Sequence, residues 1–286
     1  MQTTHRRRLD NRWWGVAALV ATGALAWGLL AADSAQTLAY GTHERALADV
    51  RRAAGPGPHP AMLLIHGGAW QGGSRRDMEE PARWLASAGV TTVAIDYRLV
   101  TAGARWPEIR DDVTQAMWWL REHAGELGID PQRVGVLGNS AGGHLGAWLA
   151  TTDTVSPRGT HSRPQLLIAW GSPWDLSQPQ EFAPPVQEAM HRLLAGADPA
   201  QASPLARIDA HSAPALLVHG PRDDVVDPVQ SRRACAALQR AGVECRLLLP
   251  AGEGHDGTHE PGNEKAVLEA MQQFVAARLR GEGPHL

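Results

Sequence analysis

Arg133-Val134-Gly135-Val136-Leu137-Gly138-Asn139-Ser140-Ala141-Gly142 is the stretch that decides the fold. An apolar strand, Arg133 to Leu137, runs into a G-x-S-x-G motif, and the residues from Ala141 to Ala150 have the pattern of a helix. A sharp strand-to-helix turn needs small neighbours, and it presents its serine at the C-terminal edge of a sheet. The N–H of Ala141 then lies at a helix start, where an anion is favoured. The five-residue pattern alone is a modest signal, and its place between a strand and a helix makes it specific.

Two further segments fit around that turn. Upstream, the apolar strand Ala61 to Ile65 ends in His66-Gly67-Gly68-Ala69-Trp70. Glycines there let the backbone approach a ligand, so the N–H groups of Gly68 and Ala69 are candidate oxyanion donors alongside Ala141. Downstream, the strand Ala215 to Val218 leads into His219-Gly220-Pro221-Arg222-Asp223-Asp224, and Gly252-Glu253-Gly254-His255-Asp256 follows the next strand. A nucleophilic serine needs a base, and the base needs an orienting acid. The chain order is serine, then aspartate, then histidine, and both later groups follow strands, where open α/β sheets place ligands. Asp223 and Asp224 are adjacent rivals for the acid, with Asp227 and Asp175 as remoter ones.

The remaining chain alternates apolar strands with amphipathic helices. Strands are expected at Val90 to Ile95, Leu166 to Trp170 and Glu244 to Leu249, with an early one near Leu47 to Arg51. Helices are expected at Glu79 to Ala88, Pro107 to Ala124, Val229 to Ala241 and Asn263 to Arg280. In the second of these, Ile109, Val113, Ala116, Met117 and Leu120 share one face. This pattern predicts an α/β fold: a mostly parallel central sheet with helices on both faces. Leu176 to Ala210 is Pro-rich, with a short helix at Val186 to Leu194. It is either a small insertion over the site or an ordinary surface loop.

Composition sets the outer limits. The 286 residues are 43% hydrophobic and 20% charged with net charge −3, which suits one globular α/β domain and argues against a nucleic-acid partner. Eleven Trp stand against 2 Tyr and 2 Phe. Trp70, Trp106, Trp170 and Trp174 therefore point to an apolar acyl or alcohol pocket, with core packing as the alternative for each. His and carboxylate spacing gives no metal motif. Cys235 and Cys245 are expected to be reduced, a bridge being the alternative in an oxidising compartment. His5-Arg6-Arg7-Arg8 and Arg12 precede an uncharged run from Trp13 to Ala32. That order predicts an export signal or N-terminal membrane anchor over residues 1–36, an extracytoplasmic location, and a catalytic domain over 37–286.

His66-Gly67-Gly68-Ala69-Trp70, Asp96-Tyr97-Arg98, Gly138-Asn139-Ser140-Ala141-Gly142-Gly143-His144, His219-Gly220 with Asp223, and Gly254-His255 together resemble the α/β-hydrolase superfamily. The likeness is to its bacterial esterase/lipase branch, which includes feruloyl and acetyl esterase-like proteins, kynurenine formamidase-like proteins and hormone-sensitive-lipase relatives. It covers roughly Ala39 to the C-terminus. The resemblance implies a serine hydrolase acting on small-molecule carboxylic esters through an acyl-enzyme, with no metal or cofactor. It implies Ser140 as nucleophile, His255 as base, Asp223 as orienting acid, and Gly68, Ala69 and Ala141 as oxyanion hole. An amidase, formamidase or peptidase of the same fold is one alternative, a transferase using an alcohol instead of water another, and a non-catalytic binding domain a further one. Two positions depart from the pattern: Ala69 where many relatives have Gly, and Arg51 where relatives often have Tyr.

Overall fold

The burial pattern along one strand explains how the sheet is covered. In β3 (His59–Ile65), Ala61, Leu63 and Ile65 enter one apolar cluster and Met62 and Leu64 enter another. Successive side chains of a strand point to opposite faces, so a run apolar on both faces must be buried on both. The computed structural model describes residues 34–255 and 261–280. Its eight strands are β1 (Gln36–Ala39), β2 (Leu47–Arg51), β3, β4 (Thr91–Ile95), β5 (Ile129–Asn139), β6 (Leu167–Trp170), β7 (Ala215–Val218) and β8 (Cys245–Leu248). They form one sheet in the order β1-β2-β4-β3-β5-β6-β7-β8, antiparallel from β1 through β2 to β4 and parallel thereafter.

Seven α-helices accompany the sheet among the described residues: α1 (Glu79–Ser87), α2 (Trp106–Glu122), α3 (Ala124–Leu127), α4 (Ala141–Thr151), α5 (Pro184–Leu194), α6 (Val229–Arg240) and α7 (Pro261–Val275). Leu85 of α1 and Phe274 of α7 join the cluster on one face. α2, α4 and α6 cover the other, and the five residues expected on the inner face of α2 are all fully buried. The sheet is thus mostly parallel with helices on both faces, as the pattern predicts. Arg51 does not disturb β2: its side chain is buried and paired with Glu79 of α1.

Between β6 and β7, the expected insertion folds into α5 and several 3₁₀ turns. It lies against the loop after β7: Ala183 N–H donates to Val225 O (2.9 Å) and Asp227 N–H to Glu181 O (2.9 Å). One expectation is corrected here. Cys235 of α6 and Cys245 of β8 form a disulfide, because the helix packs on the strand with their Cα atoms 5.4 Å apart, within bridging range. The basic and apolar N-terminal run lies outside the described residues; among the described residues, no helix is long and apolar enough to cross a membrane.

Candidate active site

Ser140 lies between β5 and α4 with φ 50° and ψ −122°. A non-glycine residue there is strained by roughly 1–3 kcal/mol and persists only where its surroundings over-determine it. They do: Ser140 N–H donates to Trp170 O of the neighbouring strand (2.7 Å), and His144 N–H donates to Ser140 O (3.0 Å). Gly142 shows why the motif demands small residues. A Cβ at that position would stand 2.0 Å from the carbonyl oxygen of Ile65, so only glycine lets α4 start against the end of β3.

The loops after β7 and β8 bring two side chains to this turn. His255 Nε2 is 3.0 Å from Ser140 Oγ, and His255 Nδ1 is 2.7 Å from Asp223 Oδ2. Asp223 is held from its other side, since the N–H groups of Val225 and Val226 both donate to Oδ1 at 2.9 Å. His219 adds a polar neighbour: its Nε2 donates to Val226 O (2.9 Å) and lies 3.0 Å from Asp223 Oδ2. Ser231 Oγ contacts the other ring nitrogen of His219 (2.7 Å). Burial alone would raise the Asp223 carboxyl. The contacts from His219 and His255 and the Val226 N–H outweigh it and hold the group well below the usual carboxylate range. The two loops also touch directly, Arg222 N–H donating to Glu253 O (2.9 Å).

The rival aspartates lie apart. Asp224 is exposed. Asp227 accepts from Val229 N–H at the start of α6 (2.9 Å), and Asp175 accepts from Ser177 Oγ (2.6 Å). Asp256 lies outside the described residues.

The third component is the turn after β3. Gly68, Ala69 and Trp70 have φ of 106°, 51° and 57°, three consecutive left-handed residues. Gly68 O accepts from the N–H groups of Gln71 and Gly72, both at 3.0 Å, which closes the turn. His66 stacks on Tyr97 (4.3 Å between centroids, 13° between planes), and Tyr97 OH donates to His66 O (3.0 Å). Burial lowers the His66 pKa to about 4.

The pocket expectation for the tryptophans is corrected. Trp70, Trp106 and Trp174 belong to one core cluster and Trp170 to the other, so core packing accounts for all four. Two neighbours of the site escape the sequence reading. One is the approach of His219 to Asp223, signalled only by a histidine four residues before the acid. The other is Gly171, with φ 54°, where a Cβ would stand 3.3 Å from His255 Nδ1. Chemically, a hydroxyl beside an imidazole whose far nitrogen is held by a carboxylate is equipped for nucleophilic attack with proton transfer.

A family model described as BD-FAE matches residues 50–238, more than half of the chain. The chain belongs to the BD-FAE family. The BD-FAE match takes in Gly68, Ala69, Ser140, Ala141 and Asp223 and ends before His255. This BD-FAE chain is 31% identical over 238 residues to Esterase LipC of Mycobacterium tuberculosis (strain ATCC 25618 / H37Rv), covering 76% of this chain and 59% of LipC. It is 30% identical over 244 residues to the ethyl acetate hydrolase of Pseudomonas putida, covering 75% of this chain and 73% of that protein. It spans about half the length of the first relatives it matches, 44% for the probable carboxylic ester hydrolase LipM of Mycobacterium tuberculosis and 59% for LipC. Esterase 2 of Thermogutta terrifontis has the same fold, with TM-score 0.77, 25% identity, and coverage of 86% of this chain and 95% of that one. The fold is that of the α/β-hydrolases.

Proposed function

We propose that this protein hydrolyses carboxylic esters through an acyl-enzyme intermediate, with Ser140, His255 and Asp223 as its triad. The observation that carries the reading is the continuous contact from Ser140 Oγ through the His255 ring to Asp223, 3.0 and 2.7 Å. The names of the relatives, esterase, carboxylic ester hydrolase and ethyl acetate hydrolase, support ester over amide substrates.

The proposed steps follow from which atoms donate. His255 Nδ1–H donates to the Asp223 carboxylate, which leaves the Nε2 lone pair for the Ser140 hydroxyl. Ser140 Oγ bonds to the ester carbonyl carbon as its proton passes to Nε2. The carbonyl oxygen becomes an oxyanion, which accepts hydrogen bonds from the N–H groups of Gly68, Ala69 and Ala141. Such donors contribute on the order of 10²–10³ in rate each. Collapse of the tetrahedral adduct breaks the carbon–oxygen bond to the alcohol, which leaves with the proton from Nε2. A water molecule, deprotonated by Nε2, then attacks the acyl-serine. The acid is released, and the proton returns to Ser140.

Labelling with a fluorophosphonate and turnover of matched aryl esters and anilides test this reading. The Ser140→Ala variant should lose labelling and lose ester turnover by roughly 10⁴–10⁶-fold. Equal labelling of that variant refutes the nucleophile, and faster anilide than ester turnover refutes the substrate class.

We further propose that the domain works outside the cytoplasm. The order of arginines and apolar run in residues 5–32 supports this, and so does the Cys235–Cys245 bridge, since disulfides persist mainly in oxidising compartments. A fusion of residues 1–36 to a reporter active only after export should be active; a silent reporter made at normal levels refutes export.

A further inference from the structure

His144 stands one helical turn after Ser140 and lies between the oxyanion turn and the insertion. Its ring is completely buried. Trp70 Nε1 lies 3.2 Å from His144 Nδ1, and His144 Nε2 lies 2.7 Å from Ala202 O. These partners fix the tautomer. An indole N–H only donates and a carbonyl only accepts, so Nδ1 must be the acceptor and Nε2 must carry the hydrogen. The ring packs edge-on to Trp70 and tilted against Trp106, both at 5.2 Å between centroids. Burial lowers the His144 pKa to about 4, which keeps the ring neutral at ordinary pH.

The oxyanion turn needs such a fixture. Ala69 and Trp70 both carry side chains at positive φ, directly after Gly68. Each such residue is strained by the order of 1–3 kcal/mol, so the turn holds its form only if it is fastened elsewhere. Besides the hydrogen bonds that close it and that of Thr101 Oγ1 to Gln71 O (3.0 Å), two fastenings run through Trp70: Val100 N–H donates to Trp70 O (2.9 Å), and Trp70 Nε1–H donates to His144. The second joins the turn to the same helix that begins beside Ser140. That contact thereby ties the oxyanion turn to the nucleophile's helix, beside the pairing of β3 with β5 that brings the two strand ends together.

We propose that His144 is a positioning residue. By accepting a hydrogen bond from the Trp70 indole N–H, it holds the Gly68–Ala69 N–H groups in register with Ser140 for the transition state. The proposal rests on the oxyanion and nucleophile reading given above. His144 touches no reacting atom; it acts through Trp70.

Two conservative replacements separate its two contacts. In His144→Asn, the short amide keeps an acceptor near Nδ1 for Trp70 but falls short of Ala202. In His144→Gln, the longer amide keeps a donor near Nε2 for Ala202 O but offers Trp70 nothing at Nδ1. Trp70→Phe removes the indole donor and leaves His144 intact. All are measured in the full chain, with thermal midpoints, kcat and KM for an aryl ester, and the inhibition constant of phenylboronic acid. The boron of that probe bonds to Ser140 Oγ and forms a tetrahedral adduct, so its affinity reads the oxyanion site.

For His144→Gln and Trp70→Phe, kcat and boronate affinity should fall together by about tenfold, the range of one lost hydrogen bond. KM should stay within about threefold, and the double variant should be no worse than either single one. His144→Asn should keep kcat within about threefold. Equal losses in the Asn and Gln variants, additive losses in the double variant, or lowered thermal midpoints with unchanged boronate affinity would overturn the positioning role. If both His144 variants fail to fold, Trp70→Phe decides alone: unchanged boronate affinity refutes the proposal. Ser140→Ala, run in parallel, should lose both turnover and boronate binding. Retained turnover there sinks the underlying nucleophile reading instead of the role of His144.

Discussion

Replacing Asp223 with Asn changes one atom in the line of contacts and should disable it. The Asn carbonyl oxygen can still accept from Val225 and Val226, both of which reach Oδ1 at 2.9 Å. That choice turns the amide NH₂ toward His255 Nδ1, now 2.7 Å from Oδ2. Two donors cannot face each other, so the imidazole must move its hydrogen to Nε2. Nε2 then presents N–H to Ser140 Oγ, 3.0 Å away, and has no lone pair to take the serine proton. The opposite choice leaves two backbone N–H groups pointing at an NH₂, which costs buried hydrogen bonds. The first arrangement is therefore favoured, and it is the wrong tautomer for catalysis. Loss of the right tautomer lowers kcat by on the order of 10²–10⁴-fold, or about 3–5.5 kcal/mol of barrier. Asp224→Asn is the control, because Asp224 is exposed; it should change kcat by less than about tenfold. The assay is kcat on an aryl ester near neutral pH, with circular dichroism to show that both variants fold. A folded Asp223→Asn protein within tenfold of wild type, or a reversed ranking of the two variants, refutes the assignment of the acid.

Two further outcomes follow from burial and packing. Gly142→Ala puts a Cβ 2.0 Å from Ile65 O and should destabilise the fold by roughly 1–3 kcal/mol in urea titrations, whereas Gly125→Ala meets nothing within 4 Å and should be neutral or slightly stabilising; equal effects would refute the tight turn. His66 and His144 have pKa values lowered from 6.5 to about 4 by burial, so the unfolded chain binds protons in that window that the folded chain does not. Stability should be full above pH 6.5 and fall as pH drops toward 4, by on the order of 3 kcal/mol per histidine, and a urea midpoint constant from pH 7 to 4.5 refutes their neutral burial.

The fold was legible because its signals are local. A continuous apolar run marks β3 and a 3.6-residue period marks α2, and both depend only on neighbours within one element. Ser140 was legible for the same reason, since strand, turn and helix are consecutive. The acid was not. Asp223 and Asp224 differ only in which of them the turn points inward, and that turn is set by Asp223 N–H donating to Gly220 O (3.1 Å) and by contact with the His255 loop. The disulfide was hidden likewise, because spacing in sequence says nothing of how α6 lies on β8. The tryptophans could be read as large apolar surfaces but not assigned between core and pocket, since both are buried and apolar. β1 has too little apolar content to stand out; it is a strand because Gln36–Ala39 pairs with β2.

The three residues of the proposed triad differ in their access to solvent, and this bears on the proposed mechanism. The Asp223 side chain is fully buried, that of His255 nearly so, and Ser140 is half-buried. An interaction between charges is stronger the less water surrounds it. The carboxylate thus lies in the driest position, where its attraction for a protonated imidazole is strongest. In the proposed reaction that charge appears only when His255 takes the serine proton, so the interaction would grow along the reaction and favour the transition state over the ground state. The nucleophile must meet substrate and cannot be buried to the same depth. Its orientation comes from backbone strain and the Trp170 contact instead of from desolvation. The glycine at position 171 lies against the same pair: a Cβ there would stand 3.3 Å from His255 Nδ1 and 3.5 Å from Asp223 Oδ2, crowding their contact.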